Sequence, residues 1–121
     1  MGLDTLISRV HLVPSAGVGI VDFNQQIDLT NAYSRVASLI DGEFGEIRIV
    51  GTRYQDQTKG QMDPCRHTFY SCASIKLEVE GKQKSVKLHK HRLQICPVSS
   101  QEETDLIAGF LLNKIYAIHY Q

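Results

Sequence analysis

KSVKLHKHRLQICPV, residues Lys84–Val98, sets how the strands of this chain are counted. Its apolar residues change parity: Val86 and Leu88 are even, Leu93 and Ile95 odd. Side chains alternate between the two faces of a strand, so a slip of one residue moves the inward set to the other face. A β-bulge absorbs such a slip. The segment is therefore expected to be one irregular strand, bulged on HKHR (residues 89–92), with Lys90 and Arg92 splayed outward together.

Upstream, Phe69, Ala73, Ile75, Leu77 and Val79 share one parity while Lys76, Glu78 and Glu80 take the other, which predicts a half-buried strand over His67–Glu80. Gly81 supplies the turn between the two. Further back, Thr5–Val13 alternates and closes on Pro14, and VGIVDFNQQI (18–27) resumes the alternation, so the two predict a hairpin. GEIRIVGTRY (45–54) predicts another strand, with Ile47 and Ile49 opposed to Val50 and Tyr54. QDQTKGQMDP (55–64) is polar throughout and is expected to be the one long loop.

Two segments carry the helical period instead. In DLTNAYSRVASLIDG (28–42), Leu29, Ala32, Tyr33, Val36, Leu39 and Ile40 fall on one face, Asp28 or Thr30 can cap the start, and Gly42 follows the end. After Pro97, Ser100 with Glu103 three residues on forms a capping box, ahead of a helix whose apolar residues occupy more than one face. A helix that apolar is hard to bury in so small a body. Leu106, Phe110, Leu111, Ile115 and Ile118 are accordingly expected to meet a partner or a second copy, since large exposed apolar patches mark interfaces. The order ββαβββα predicts an α+β fold in two layers: a mainly antiparallel five-stranded sheet with two packed helices, residues 1–121 as one domain.

Charge is balanced, thirteen basic residues against thirteen acidic, but it is unevenly placed. Gly81–Gln101 holds no acidic residue and five cations: Lys82, Lys84, Lys87, Lys90 and Arg92. The thirteen basic residues less these five leave eight elsewhere, against all thirteen acidic ones. The five are expected to face an anionic surface, lipid or RNA, through salt-sensitive contacts. The strip lacks the interleaved aromatic residues of single-strand platforms.

Catalytic and metal signatures are missing from the sequence. GVG (17–19) lacks the third glycine of a phosphate-binding fingerprint, Asp22 standing in its place. The five histidines have neither a nucleophile elbow nor a paired carboxylate. A turn at Gly81 would bring Cys96 near His67 and His91 near Cys72, and zinc could take Cys65, His67 and Cys96. None of these has the usual ligand spacing, so no metal, cofactor or small-molecule substrate is expected. Three cysteines without framework spacing fit a reducing compartment. MGLDTLISRV has no signal-peptide pattern, the myristoylation position holds Leu6, and no window suits a membrane span. The chain is expected to be intracellular, in the cytoplasm or peripheral to a membrane.

In layout, the ββαβββα order resembles the longin or SNARE-like adaptor architecture, which implies a protein-interaction domain. The basic strip, the apolar DLIAGFLLNKIYAIHY (105–120) and the lack of catalytic chemistry are similar to the small matrix proteins of negative-strand RNA viruses. That resemblance implies a self-associating protein without enzymatic activity that binds anionic membranes and, in some members, RNA. No motif accompanies either likeness, so no site residue is carried over from them.

Overall fold

The computed structural model describes residues 7–40, 42–55, 57–62 and 72–119, the side chains of 43 and 116–119 excepted. In chain order the elements are β1 (Ile7–Val13), β2 (Val18–Phe23), α1 (Leu29–Ala37), β3 (Glu43–Phe44), β4 (Ile47–Tyr54), β5 (Gln57–Gly60), β6 (Cys72–Val79), β7 (Lys82–His89), β8 (Arg92–Cys96) and α2 (Gln101–His119). Among the described residues the fold is α+β with an antiparallel sheet and two helices. The sheet there has eight strands where five were expected: seven lie in the order β1-β2-β8-β7-β6-β4-β3, and β5 pairs with β4.

Three segments account for the difference. KSVKLHKHRLQICPV is two strands and a turn, with no bulge on HKHR. Val86 pairs with Ile95 and Leu88 with Leu93, so antiparallel pairing puts even residues of β7 and odd residues of β8 on one face. The chain reverses at HKHR, and reversal changes parity as surely as a bulge does. The slip in GEIRIVGTRY is the real bulge: the β4–β6 register shifts between Ile49 and Gly51. Ile49 opposite Leu77 and Thr52 opposite Ile75 then share the helix-facing side. Finally, Gln57–Gly60 of the expected loop is strand β5, paired from Tyr54↔Gln57 to Gly51↔Gly60.

Both helices cover one face of the sheet. α1 is capped by Asp28, whose carboxylate accepts from the Asn31 backbone N–H (3.2 Å) and side chain (3.1 Å). It buries Leu29, Ala32, Tyr33, Val36 and Ala37 and contacts β4 and β6. α2 starts at Ser100, whose Oγ accepts from the Glu103 N–H at 3.1 Å. Thr104, Ile107, Ala108, Leu111, Leu112 and Ile115 form its buried stripe. Against them lie Val21, Leu93, Ile95, Val86, Leu88, Ile75, Leu77 and Ile49, all nearly or fully enclosed. Each such aliphatic side chain contributes about 1.5–3 kcal/mol on leaving water. Among the described residues no helix is long and apolar enough to cross a membrane.

Candidate functional site: the open face of the sheet

Because the helices take one face, alternation along the strands delivers most of their polar residues to the other. Strand register makes one continuous row across that open face: Arg53 opposite Ser74, Ser74 opposite Lys87, Lys87 opposite Gln94, Gln94 opposite Ile20, Ile20 opposite His11. A second row beside it joins Arg9, Asp22 and Arg92, and His89 stands opposite Cys72. Lys90 and His91 are exposed in the β7–β8 turn that closes this end. The turn is held in place by β2 and the chain beyond it: Phe23 N–H donates to His91 O (3.0 Å) and Ile27 N–H to Lys90 O (2.7 Å).

The result is a basic band formed by Arg9, Arg53, Lys87, Lys90 and Arg92, with His11, His89 and His91 among them. Asp22 is the one carboxylate within it among the described residues. It accepts from Arg92 Nε at 2.8 Å, with His11 Nδ1 at 4.0 Å. Burial, then the charges of Arg92, His91 and Lys87, hold His89 below its usual imidazole range. Burial is the larger cause of that depression, and the neighbouring cations add to it.

The opposite end of the sheet is acidic. Glu43 pairs in register with Arg48, Arg48 with Glu78, and Arg48 Nη2 donates to Glu78 Oε2 at 3.1 Å. Glu46 and Glu80 stand in the adjoining turns, and the hydrogen bond and charge between them push the Glu46 carboxyl up. The carboxylates of that end thus gather about the turns, and on the open face Glu78 stands beside Arg48 and Lys76.

Of the expected cations, the structure brings Lys87, Lys90 and Arg92 together and separates Lys82 and Lys84. Both of the latter have the parity of Val86 and lie on the helix-facing side. Lys84 is only 8 % exposed, ion-paired with Glu103 and donating to Pro97 O at 2.7 Å. Lys82 lines a groove of about 570 Å³ under the start of α2, with Glu80 and Glu102. Neither can share an anion with Lys87 across the sheet. Arg9 and Arg53 complete the band from strands distant in sequence, which the Gly81–Gln101 window could not show.

The expected contact residues on α2 also divide. Leu111 and Ile115 are 0 % and 1 % exposed and belong to the core of the single chain. Leu106 is 56 % exposed, and Phe110 is half-buried against Phe44, ring centroids 5.5 Å apart. These three line a groove of about 470 Å³. The side chain of Ile118 lies outside the described residues. What made the helix look apolar all round is a core stripe with a flank that covers the β3–β4 edge.

The expected pairing of His91 with Cys72 is replaced by His89 with Cys72, and Cys96 lies opposite Ser85. Cys65 and His67 are outside the described residues. Burial pushes the Cys72 thiol up, which disfavours the thiolate that metals and electrophiles need. No family model matches this chain, and no curated protein or solved structure matches it either.

Proposed function

We propose that this is a non-enzymatic assembly or adaptor protein that meets an anionic surface with the open face of its sheet. Its helical side, where Leu106 and Phe110 flank the groove beside Phe44, is left for a protein partner or a second copy. The basic band carries the reading: five cations from β1, β4, β7, β8 and the β7–β8 turn converge around Asp22 on one end of a face that no described element covers. The mechanism is binding alone. Cations at that spacing release counterions from a polyanion, and the affinity falls with salt. Retention on a sulfated polysaccharide column between about 50 and 200 mM salt tests the band. Strong retention that collapses over that range is the expected outcome, and passage without retention at the lower salt would end the proposal. Light scattering after gel filtration reads the second face, and a change in mass on Leu106→Ser would place a second copy there.

A further inference from the structure

Resting on that reading, we infer that the anion is the phosphodiester backbone of a nucleic acid, bound without reading the bases. Shape is the first argument. From β1 to β4 the band crosses six neighbouring strands. Strands lie about 4.8 Å apart, so it spans about 24 Å. Adjacent strands are rotated by about 20–25°, and five such steps turn the two ends of the band by about 100–125° relative to one another. A planar lipid surface touching Lys87 at the middle leaves Arg9 and Arg53 pointing away from it. A polymer can follow the twist and meet all of them.

Chemistry is the second argument. Beside the cations stand Ser74, between Arg53 and Lys87, Gln94 opposite Lys87, and Thr58 opposite Arg53, hydroxyl and amide groups suited to phosphate and sugar oxygens. Proteins that lie on membranes add several exposed apolar side chains that enter the lipid, whereas the row has one, Ile20, half-buried between Gln94 and His11. Among the described residues the row has no aromatic platform for base stacking, so base identity has nothing in it to act on.

The test is binding of the full chain to oligo(U) and oligo(A) of equal length, and to vesicles rich in phosphatidylserine. The variants are Lys87→Glu, in the band, and Lys82→Glu, the same charge change on the other face. Expected are affinities for the two oligonucleotides within about threefold of each other, both exceeding that for vesicles by more than about tenfold. With about four net contacts, log affinity falls with log salt at a slope of about −3, a loss of about 50-fold between 50 and 200 mM. Lys87→Glu should lose about tenfold or more and Lys82→Glu less than about twofold. Thermal unfolding of both accompanies the measurement. If Lys87→Glu does not fold, Lys87→Gln replaces it and should make the slope shallower by about 0.7. Vesicle binding as tight as oligonucleotide binding overturns this inference and leaves the adaptor reading standing. A preference of more than about tenfold between the oligonucleotides, or equal losses in the two lysine variants, also overturns it. Binding to neither removes both readings.

Discussion

Lys84 stands where the alternation of β7 calls for a core side chain, between Val86 on its own strand and Leu77 across the ladder. It is tolerated because two groups satisfy its ammonium: the Glu103 carboxylate and the Pro97 carbonyl. The partners are not equally enclosed, the Lys84 side chain being 9 % exposed and that of Glu103 24 %. Breaking the pair from either side therefore has different consequences. Glu103→Gln strands a cation that water scarcely reaches and should cost about 2–3 kcal/mol, while Lys84→Met leaves a carboxylate that is more readily hydrated and should cost about 1 kcal/mol. Urea unfolding of the two variants checks the order. The hydrogen bond from Lys84 holds Glu103 below the ordinary carboxylate value of 4.5, outweighing the opposite push of burial. A lowered folded value means that the stabilisation is complete above the unfolded one and is lost as pH falls through it and then through the folded one. The difference between the native chain and Glu103→Gln should hold at neutral pH and shrink below about pH 4.5.

At the level of elements, what the sequence could reveal depended on which signal each element carries. β6 and α1 were legible because each buries one face at a fixed period, whereas α2 was legible as a helix while Leu111 and Ile115 of its core stripe were expected at a contact surface. β5 has no apolar residue and all four positions are exposed, so hydrophobic periodicity had nothing to register. Parity slips mark a break in alternation without saying whether the chain bulges or reverses. Three slips occur among the described residues: at HKHR the chain reverses, at Val50 it bulges, and between Ile7 and Arg9 the β1–β2 register shifts. Val50 O accepts from Gln61 N–H beyond β5, at 3.1 Å, which ties the bulge to the hairpin. The seat of α2 was invisible for another reason, since it depends on a gap. A side-chain carbon on Gly19 of β2 would lie 2.1 Å from Thr104 Oγ1 and 2.6 Å from its methyl. Thr104 is fully buried in the space that glycine leaves. Gly19→Ala should push the helix start off β2 and destabilise by about 1–3 kcal/mol. Adding Thr104→Ala should recover part of that loss, and a double-mutant cycle by thermal unfolding would read the coupling.

Taken as a whole, the molecule has charge arranged along the strands and layers arranged across them. Pairing carries Arg9, Arg53, Lys87 and Arg92 to one end of the open face and Glu43, Glu78, Glu46 and Glu80 toward the other, though no window of sequence contains either group. This is why the band was half legible: its β7–β8 part is contiguous in the chain, and the rest is assembled by register. The same crowding gives a pH prediction. Around His89 stand Lys87 on its own strand, Arg92 and His91 from the turn and β8, and Cys72 opposite on β6. Burial and these cations keep its imidazole neutral to lower pH than usual, so the unfolded chain takes up the proton first. That contribution to stability is complete above the ordinary histidine value and is lost as pH falls through it toward the lowered folded value. A bound polyanion reverses the local field and draws the proton onto His89. Binding then takes up protons, and affinity must rise as pH falls through the histidine range. Oligonucleotide binding should tighten several-fold between about pH 7.5 and 5.5, and His89→Asn should flatten part of that rise while leaving the affinity at the upper pH within about twofold. A pH profile unchanged by His89→Asn would place the bound anion away from the β7–β8 end of the sheet.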